Sequence, residues 1–438
     1  MTTGHVGRWA EQRRLLVVVI GILAVKLAVC FFIIPVFKGQ IGSFYGIGAA
    51  DNYASIAKNI DLGNGYRLAP DTSPTLMREP GYPYFLAALL YLFDNDHEAA
   101  VVANILFTSI SAFFVSQFAR WAWPAKWMYL VAPILFLLHP GIVIAELRGG
   151  VEIPFISLLL CFLLLLRRAI LGRSVAEYIE AGLLLGVTSC VRSTALLFPA
   201  FLFLGDLVRA RSWPSVGWAA SKAALLVCCA LIVLAPWIVR NYILVGQFVA
   251  TASVQGIAMQ AGNYICTHAD GHKGLQELDA DAAEVRNESA AKQGYRFRPG
   301  YYQLFFDPRD ELSFSKSLSE QVVHQYLQSP SVLVKCASEN LFNFWFAGKN
   351  RIATLANFCI QMPYMAFALA GVLMGLRRKE HSTIVLLLLF VAYTVLIYLP
   401  IHAQARYSIP LVPILSILAA IPICSLLQEG PKEQSANT

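Results

Sequence analysis

Long stretches of consecutive apolar residues dominate this chain: 15–37, 99–119, 128–145, 152–166, 178–190, 195–207, 219–239, 358–376, 383–399 and 410–427, with a shorter one at 83–93. A helix needs ~20 such residues to cross hydrocarbon, so the runs predict ten or eleven membrane-crossing segments. Composition agrees: 57% of residues are hydrophobic and only 14% charged, against ~45–50% apolar and ~25% charged in soluble domains. So few charges cannot cover a water-facing surface, which excludes a soluble enzyme, a disordered chain and a nucleic-acid binder. The expected fold class is an all-α polytopic membrane protein with amphipathic interfacial helices in its outer loops.

The first run follows Arg8, Arg13 and Arg14. It is too long for the apolar core of a signal peptide and has no small-residue cleavage site, so it reads as an uncleaved start helix. Orientation follows from Lys and Arg in the short connections. One set carries Arg120/Lys126, Arg167/Arg168/Arg173, Arg209/Arg211/Lys222 and Arg377/Arg378/Lys379, while the alternate set carries Arg148, Arg192 and Arg406. The arginine-rich set, the N-terminus and the tail 428–438 are expected on the cytoplasmic side. Segments 38–82 and 240–357 then lie outside, within one bundle spanning 1–427.

In the first outer segment Ala49, Tyr53, Ile56 and Ile60 recur at helical spacing, opposite Asp51, Ser55, Lys58 and Asn59, which predicts a short amphipathic helix at the membrane surface. The second has helical material at 322–327 and 332–346, broken at Pro330, and a polar stretch at 255–300 that reads as a structured loop. Of the nine cysteines, most sit in apolar runs, and none forms a metal or redox spacing. Cys266 and Cys336 are the two expected outside the bilayer together; a disulfide between them is open, since sequence carries no distance. No ligand cluster implies a metal, and no cofactor is expected.

Ionisable residues at bilayer depth or at the mouths of spans are costly and mark ion pairs or sites. Lys26 lies in the first run, where its plain reading is an ion pair with a carboxylate on another helix. Asp51 begins the surface helix, as an N-cap or as a reactive acid. Arg78-Glu79-Pro80-Gly81-Tyr82-Pro83 enters the next run. Glu146 and Glu152 flank an outer turn, where one could simply pair with Arg148. Arg192, Arg240-Asn241, His402 and Arg406-Tyr407 occupy outer turns. Singly each could anchor to headgroups; together, one acid and several arginines at one rim suit an anionic lipid phosphate.

The order of these motifs resembles the integral-membrane glycosyltransferases of the GT-C fold, the branch that includes protein O-mannosyltransferases and the lipid A aminoarabinose transferase. The resemblance rests on Asp51–Ala57, Gly63-Asn64-Gly65-Tyr66, the 78–83 motif, Gly182–Gly186 with Arg192, Pro236–Asn241 and Arg406–Leu411. It spans nearly the whole chain. It implies a bacterial inner-membrane enzyme that uses a polyprenyl-phosphate sugar donor on the periplasmic side, with a lipid, glycan or protein as acceptor. By resemblance, Asp51 matches the family's catalytic base, Glu152 its second acidic position and Arg406 a late arginine near the donor. Tyr53, Arg78, Glu79, Tyr82, Arg240, His402 and Tyr407 complete the expected donor- and acceptor-binding set. One departure is that Glu79 stands before Pro80 where the aminoarabinose branch has a lysine.

The chemistry suits one base rather than two carboxylates. A glycosidase must protonate a poor leaving group; a polyprenyl phosphate leaves already ionised. One base for the acceptor proton and cations for the growing phosphate charge then suffice, and direct attack would invert the anomeric centre. The rival is a transporter or flippase of a lipid-linked or anionic substrate, which would show repeats and Gly/Pro-interrupted helices; no such pairs are evident in the sequence.

Overall fold

A computed structural model of the chain describes residues 3–33, 52–93, 96–172, 174–209, 213–269, 273–378 and 382–428. Asp51, Ala49, the segment 38–50 and the tail beyond 428 lie outside the described residues. The apolar runs are mainly helical where they are described, so the expected fold class is borne out. The helices are α1 (Thr3–Ala28), α2 (Tyr53–Asp61), α3 (Gly81–Leu92), α4 (Asp96–Ala122), α5 (Met128–Leu138), α6 (Pro140–Leu147), α7 (Glu152–Gly172), α8 (Val175–Val191), α9 (Phe198–Arg209) and α10 (Trp213–Val245). Then follow α11 (Gln255–His268), α12 (Leu275–Lys292), a two-stranded hairpin, β1 (Phe297–Arg298) and β2 (Leu304–Phe305), α13 (Pro308–Gln328), α14 (Pro330–Phe346), α15 (Arg351–Leu376), α16 (Ser382–Tyr398) and α17 (Val412–Gln428).

Among the described residues, five helices are long and apolar enough to cross a membrane, or six if the bent pair α5–α6 is one span. Gly81–Leu92, Ser193–Val208 and Ser382–Tyr398 are shorter apolar helices. The protein is thus a multi-pass membrane protein, in which five or six of the ten or eleven expected segments are, among the described residues, long and apolar enough to cross. The last span is the axis of the bundle: 83% of its apolar window is buried, against α15, α5 and α4. α10 and α15 instead leave apolar side chains such as Ile232 and Leu369 exposed, as a hydrocarbon-facing surface requires.

The α5–α6 bend of 53° corrects the reading of 128–145 as one uninterrupted run. His139 precedes Pro140 and is driven to extended backbone, at φ −63° and ψ 123°. Its Nδ1 then accepts the N–H of Gly141 at 3.1 Å, so the break is capped by a side chain. The Gly182–Gly186 motif has a packing cause. A Cβ on Gly186 would stand 2.8 Å from the Ala230 carbonyl oxygen, and one on Gly182 would stand 3.0 Å from that of Leu226. The two glycines let α8 and α10 approach closely, as small residues four apart do in membranes.

Two outer-segment readings change. The stretch 255–300 holds α11 and α12 rather than a loop. Residues 278, 282, 286 and 290 of α12 are buried at helical spacing, but they are Leu, Ala, Arg and Ala, which leaves little apolar period to read. Asn59 is buried rather than on a polar face, donating to the Ser55 and Arg67 carbonyls at 2.9 and 3.2 Å. The break at Pro330 stands as expected, between α13 and α14. Cys266 and Cys336 form a disulfide, Cα–Cα 5.2 Å, joining α11 to α14.

Lys26 pairs with Glu146 through both carboxylate oxygens, at 2.8 and 2.9 Å. With Glu146 only 2% exposed, removing one partner strands a charge where neither water nor another ion replaces it. Lys26→Met or Glu146→Gln should each cost about 3–5 kcal/mol, and Lys26→Met/Glu146→Gln together should recover much of the loss. Thermal unfolding in detergent of the two single variants and the double variant tests this; additive losses would contradict the pairing.

Candidate active site

The Arg78–Pro83 motif is shaped by backbone contacts. The buried Tyr66 hydroxyl donates within reach of both the Arg78 and Glu79 carbonyls, 3.0 Å each. Burial, and then the Glu79 charge, push the Tyr66 phenol well above its ordinary range, so it stays a neutral donor. A Cβ on Gly81 would lie 2.8 Å from the Cys190 carbonyl oxygen; glycine therefore lets the start of α3 sit on the end of α8. That contact brings Glu79 to the next turn, where one carboxylate oxygen accepts the Ser193 N–H at 3.0 Å and the Ser193 hydroxyl at 2.6 Å.

From this corner the charged and aromatic groups form a ring. The N-cap of α2 is Asn52, with φ 59° and no side-chain capping bond. Tyr53 packs edge-on against Tyr82 at 5.3 Å, and the Tyr82 hydroxyl donates to the Gly149 carbonyl. Arg78 lies over the Tyr53 and Tyr302 rings, at 5.2 and 5.0 Å, and donates to the Tyr302 hydroxyl at 2.7 Å. Tyr302 adjoins Tyr301 at 4.7 Å, and the Tyr301 hydroxyl donates to Asp279. Beside them Arg286, wholly buried, donates to Gln260 at 2.8 Å and to the Tyr301 carbonyl at 3.2 Å.

The other arc comes from the last outer turn. His402 meets Tyr407 edge-on at 5.9 Å, and Tyr407 stacks on Tyr398 at 4.7 Å. Both Arg406 and Arg192 lie over the Tyr407 ring, at 5.2 and 5.4 Å. Arg192 also approaches Glu152 at 3.7 Å. The turn is held from outside: Tyr326 donates to the Pro400 carbonyl and Asn340 to that of Leu399.

Of the residues singled out from sequence, the structure gathers Tyr53, Arg78, Glu79, Tyr82, Glu152, His402, Arg406 and Tyr407 along this ring. Arg240 stands behind it. Its Nη1 donates to the Thr75 carbonyl and to Asn241, and its guanidinium covers Trp237 at 4.4 Å and Tyr66 at 5.2 Å, so it supports the motif through Tyr66. Asp51 lies outside the described residues. Asp279, Arg286, Tyr301, Tyr302 and Ser193 are the additions, beside Arg192, which the sequence motifs already single out; a charge at helical spacing in 275–292 was the available signal for the first two. Among the described residues, no three His, Cys, Asp or Glu side chains cluster as metal ligands would.

Residues 74–239 match the family model "Dolichyl-phosphate-mannose-protein mannosyltransferase", which bears out the resemblance read from the sequence motifs. Among solved structures, the apo oligosaccharyltransferase of Archaeoglobus fulgidus aligns with TM-score 0.52 and 13% identity, over 93% of this chain and 51% of that one. The same archaeal enzyme, AglB, in complex with an inhibitory peptide and a dolichol-phosphate aligns with TM-score 0.50 and 12% identity, over 88% and 47%. ArnT from Cupriavidus metallidurans bound to undecaprenyl phosphate aligns at TM-score 0.39 and 14% identity, over 97% and 79%. The chain therefore spans about half the length of the archaeal enzymes, with which it shares a fold. A search of the curated proteins finds no match.

The ring predicts a pH response. Burial is the main cause lowering the His402 imidazole to about 4; Asp279 opposes it, and Arg406 and Arg286 add to it. In the unfolded chain the imidazole protonates near its ordinary 6.5 and so takes up the proton first. Its contribution to stability is therefore fully present above about pH 6.5 and is lost as pH falls toward 4. The unfolding midpoint should decline across that window, and His402→Gln should flatten the decline. An identical pH profile in the variant would assign the response to another group.

Proposed function

We propose that the protein is a membrane glycosyltransferase that moves a sugar from a polyprenyl-phosphate donor to an acceptor at the outer face, with inversion and with Asp51 as general base. The observation that carries this reading is the convergence of Arg192 and Arg406, from two remote segments, on one ring, Tyr407, with Arg78 held over Tyr53 and Tyr302. Guanidinium groups in a confined site suit the charge that grows on a departing lipid phosphate. The match of residues 74–239 to a mannosyltransferase family supports the reaction class, and the dolichol-phosphate named for the archaeal enzyme of the same fold supports the donor class. The Cys266–Cys336 disulfide supports an oxidising, external location for the segment 240–357, in line with the Lys/Arg asymmetry of the connections. Membrane lipids surround the bundle, and the acceptor is a lipid, a glycan or a protein.

Asp51 stands two residues before Tyr53, which opens α2 and contacts both Arg78 and Tyr82; this neighbourhood supports its role. The bent pair α5–α6 is a feature transporters share, yet it is one pair among the described residues, and its break is satisfied by His139 rather than left for a substrate.

Transfer and donor binding should separate in two variants. Asp51→Asn keeps the size of the side chain but cannot accept a proton, and should lower turnover by ~10²–10⁴-fold while polyprenyl phosphate still binds. Arg406→Lys keeps the charge but loses the planar fork, and should weaken donor binding. Normal turnover in Asp51→Asn would pass the base role to Glu79 or Glu152. Unchanged donor affinity in Arg406→Lys would reduce the last outer turn to a headgroup anchor.

A further inference from the structure

A second polar cavity lies far from the ring. It has a volume of about 750 Å³ and is bounded by residues of α7, α8, α9, α10 and α16. Arg167 is fifteen residues along α7 from Glu152, which at 1.5 Å per residue is about 22 Å. The cavity is thus at the opposite end of that helix from the reacting groups. Its size falls within the ~300–1,000 Å³ range of small-molecule sites.

The walls have two characters. Leu166, Ile170, Leu202, Phe203, Leu226 and Leu389 make an apolar lining, while Arg167, Lys222 and Asp206 make a polar edge. Arg167 is oriented on two sides: its Nε donates to the Thr383 hydroxyl at 2.8 Å, and its guanidinium stacks on Trp121 at 3.9 Å. Neither contact is a carboxylate, and among the described residues no ion pair of Arg167 is found. Lys222 pairs with Asp206 at 2.7 Å, which leaves a net positive edge. Arg377 and Arg378 precede α16, whose first residue, Ser382, also lines the cavity. A held cation beside an apolar pocket between spans suits an amphiphile with an anionic head.

We propose that this cavity binds an anionic glycerophospholipid of the surrounding membrane, with its headgroup phosphate on Arg167 and Lys222 and an acyl chain against the leucine-rich wall. A zwitterionic headgroup brings its own cation to an edge that is already positive and binds less well. The site is independent of the sugar chemistry at the other end, so the two readings can fail separately.

The test uses the full chain in detergent, stripped of lipid and titrated with phosphatidylglycerol or phosphatidylcholine under native mass spectrometry. Wild type should hold one phosphatidylglycerol in clear preference to phosphatidylcholine. Arg167→Gln should weaken that binding by about tenfold or more, the loss expected for one charge-assisted contact. Ala223→Phe, which fills the cavity and leaves its charges in place, should do the same and keeps the test valid if the first variant fails to fold. Equal binding of both lipids, or wild-type affinity in Ala223→Phe, would overturn the proposal. So would loss of polyprenyl phosphate rather than phosphatidylglycerol from both variants, which would make the cavity a donor-lipid site.

Discussion

A carboxylate shut away from water must find its donors in protein, and the part of this molecule that carries the ring is built around one that does. Glu311, 4% exposed, accepts from the Thr75 hydroxyl at 2.7 Å, the Leu76 N–H at 3.0 Å and the Ser253 hydroxyl at 2.6 Å. Burial pushes its carboxyl up, and these donors, with Arg240 beyond them, pull it back. An unpaired buried acid would be costly, so the three segments are held together by the cost of separating them. Thr75 and Leu76 lead directly into Arg78 and Glu79, and the placement of the ring therefore depends on an acid that takes no part in it.

The ring follows the same rule at a smaller scale. Four charged groups are each met by a group from another segment: Glu79 by Ser193, Glu152 by Arg192, Asp279 by Tyr301, Arg78 by Tyr302. Such networks are stable only when nearly complete. They also hold their dipoles in place before a substrate arrives, the form of electrostatic support that needs least reorganisation during reaction.

How much of this was legible in the sequence depends on whether the signal was periodic or relational. The spans, the break at Pro330 and the charged mouths are local patterns, and they stand. Lys26 announced a partner because an unpaired ammonium at that depth is untenable, but nothing local named Glu146. Asp279 and Arg286 were hidden because α12 buries alanines and an arginine where a pattern search expects leucines. Arg240 was visible as a charge at a mouth, but sequence does not show that its Nη1 also holds the Thr75 carbonyl. The Cys266–Cys336 bond was one possible pairing until the packing of α11 on α14 supplied the distance. The bend at His139-Pro140 was written in the sequence, yet an apolar run on both sides outweighed a single proline.

For the transfer proposed above, the same bookkeeping of partners bears on which acid would take the acceptor proton. A base must be able to strengthen a hydrogen bond to the incoming nucleophile, and an acid already holding strong donors does so less readily. Glu79 accepts two short bonds from Ser193, Glu152 faces the Arg192 guanidinium, and Asp279 holds the Tyr301 hydroxyl. Glu146 is committed to Lys26 and Glu311 to its three donors. These acids are engaged in holding the site together, and moving a proton onto any of them would loosen a contact that positions the arginines. Asp51 is the remaining acid of the first outer segment that the order of motifs singles out, next to the helix that carries Tyr53 into the ring. A division between structural acids and one reactive acid is what a reaction with an ionised leaving group allows, because it needs no second carboxyl to act as general acid.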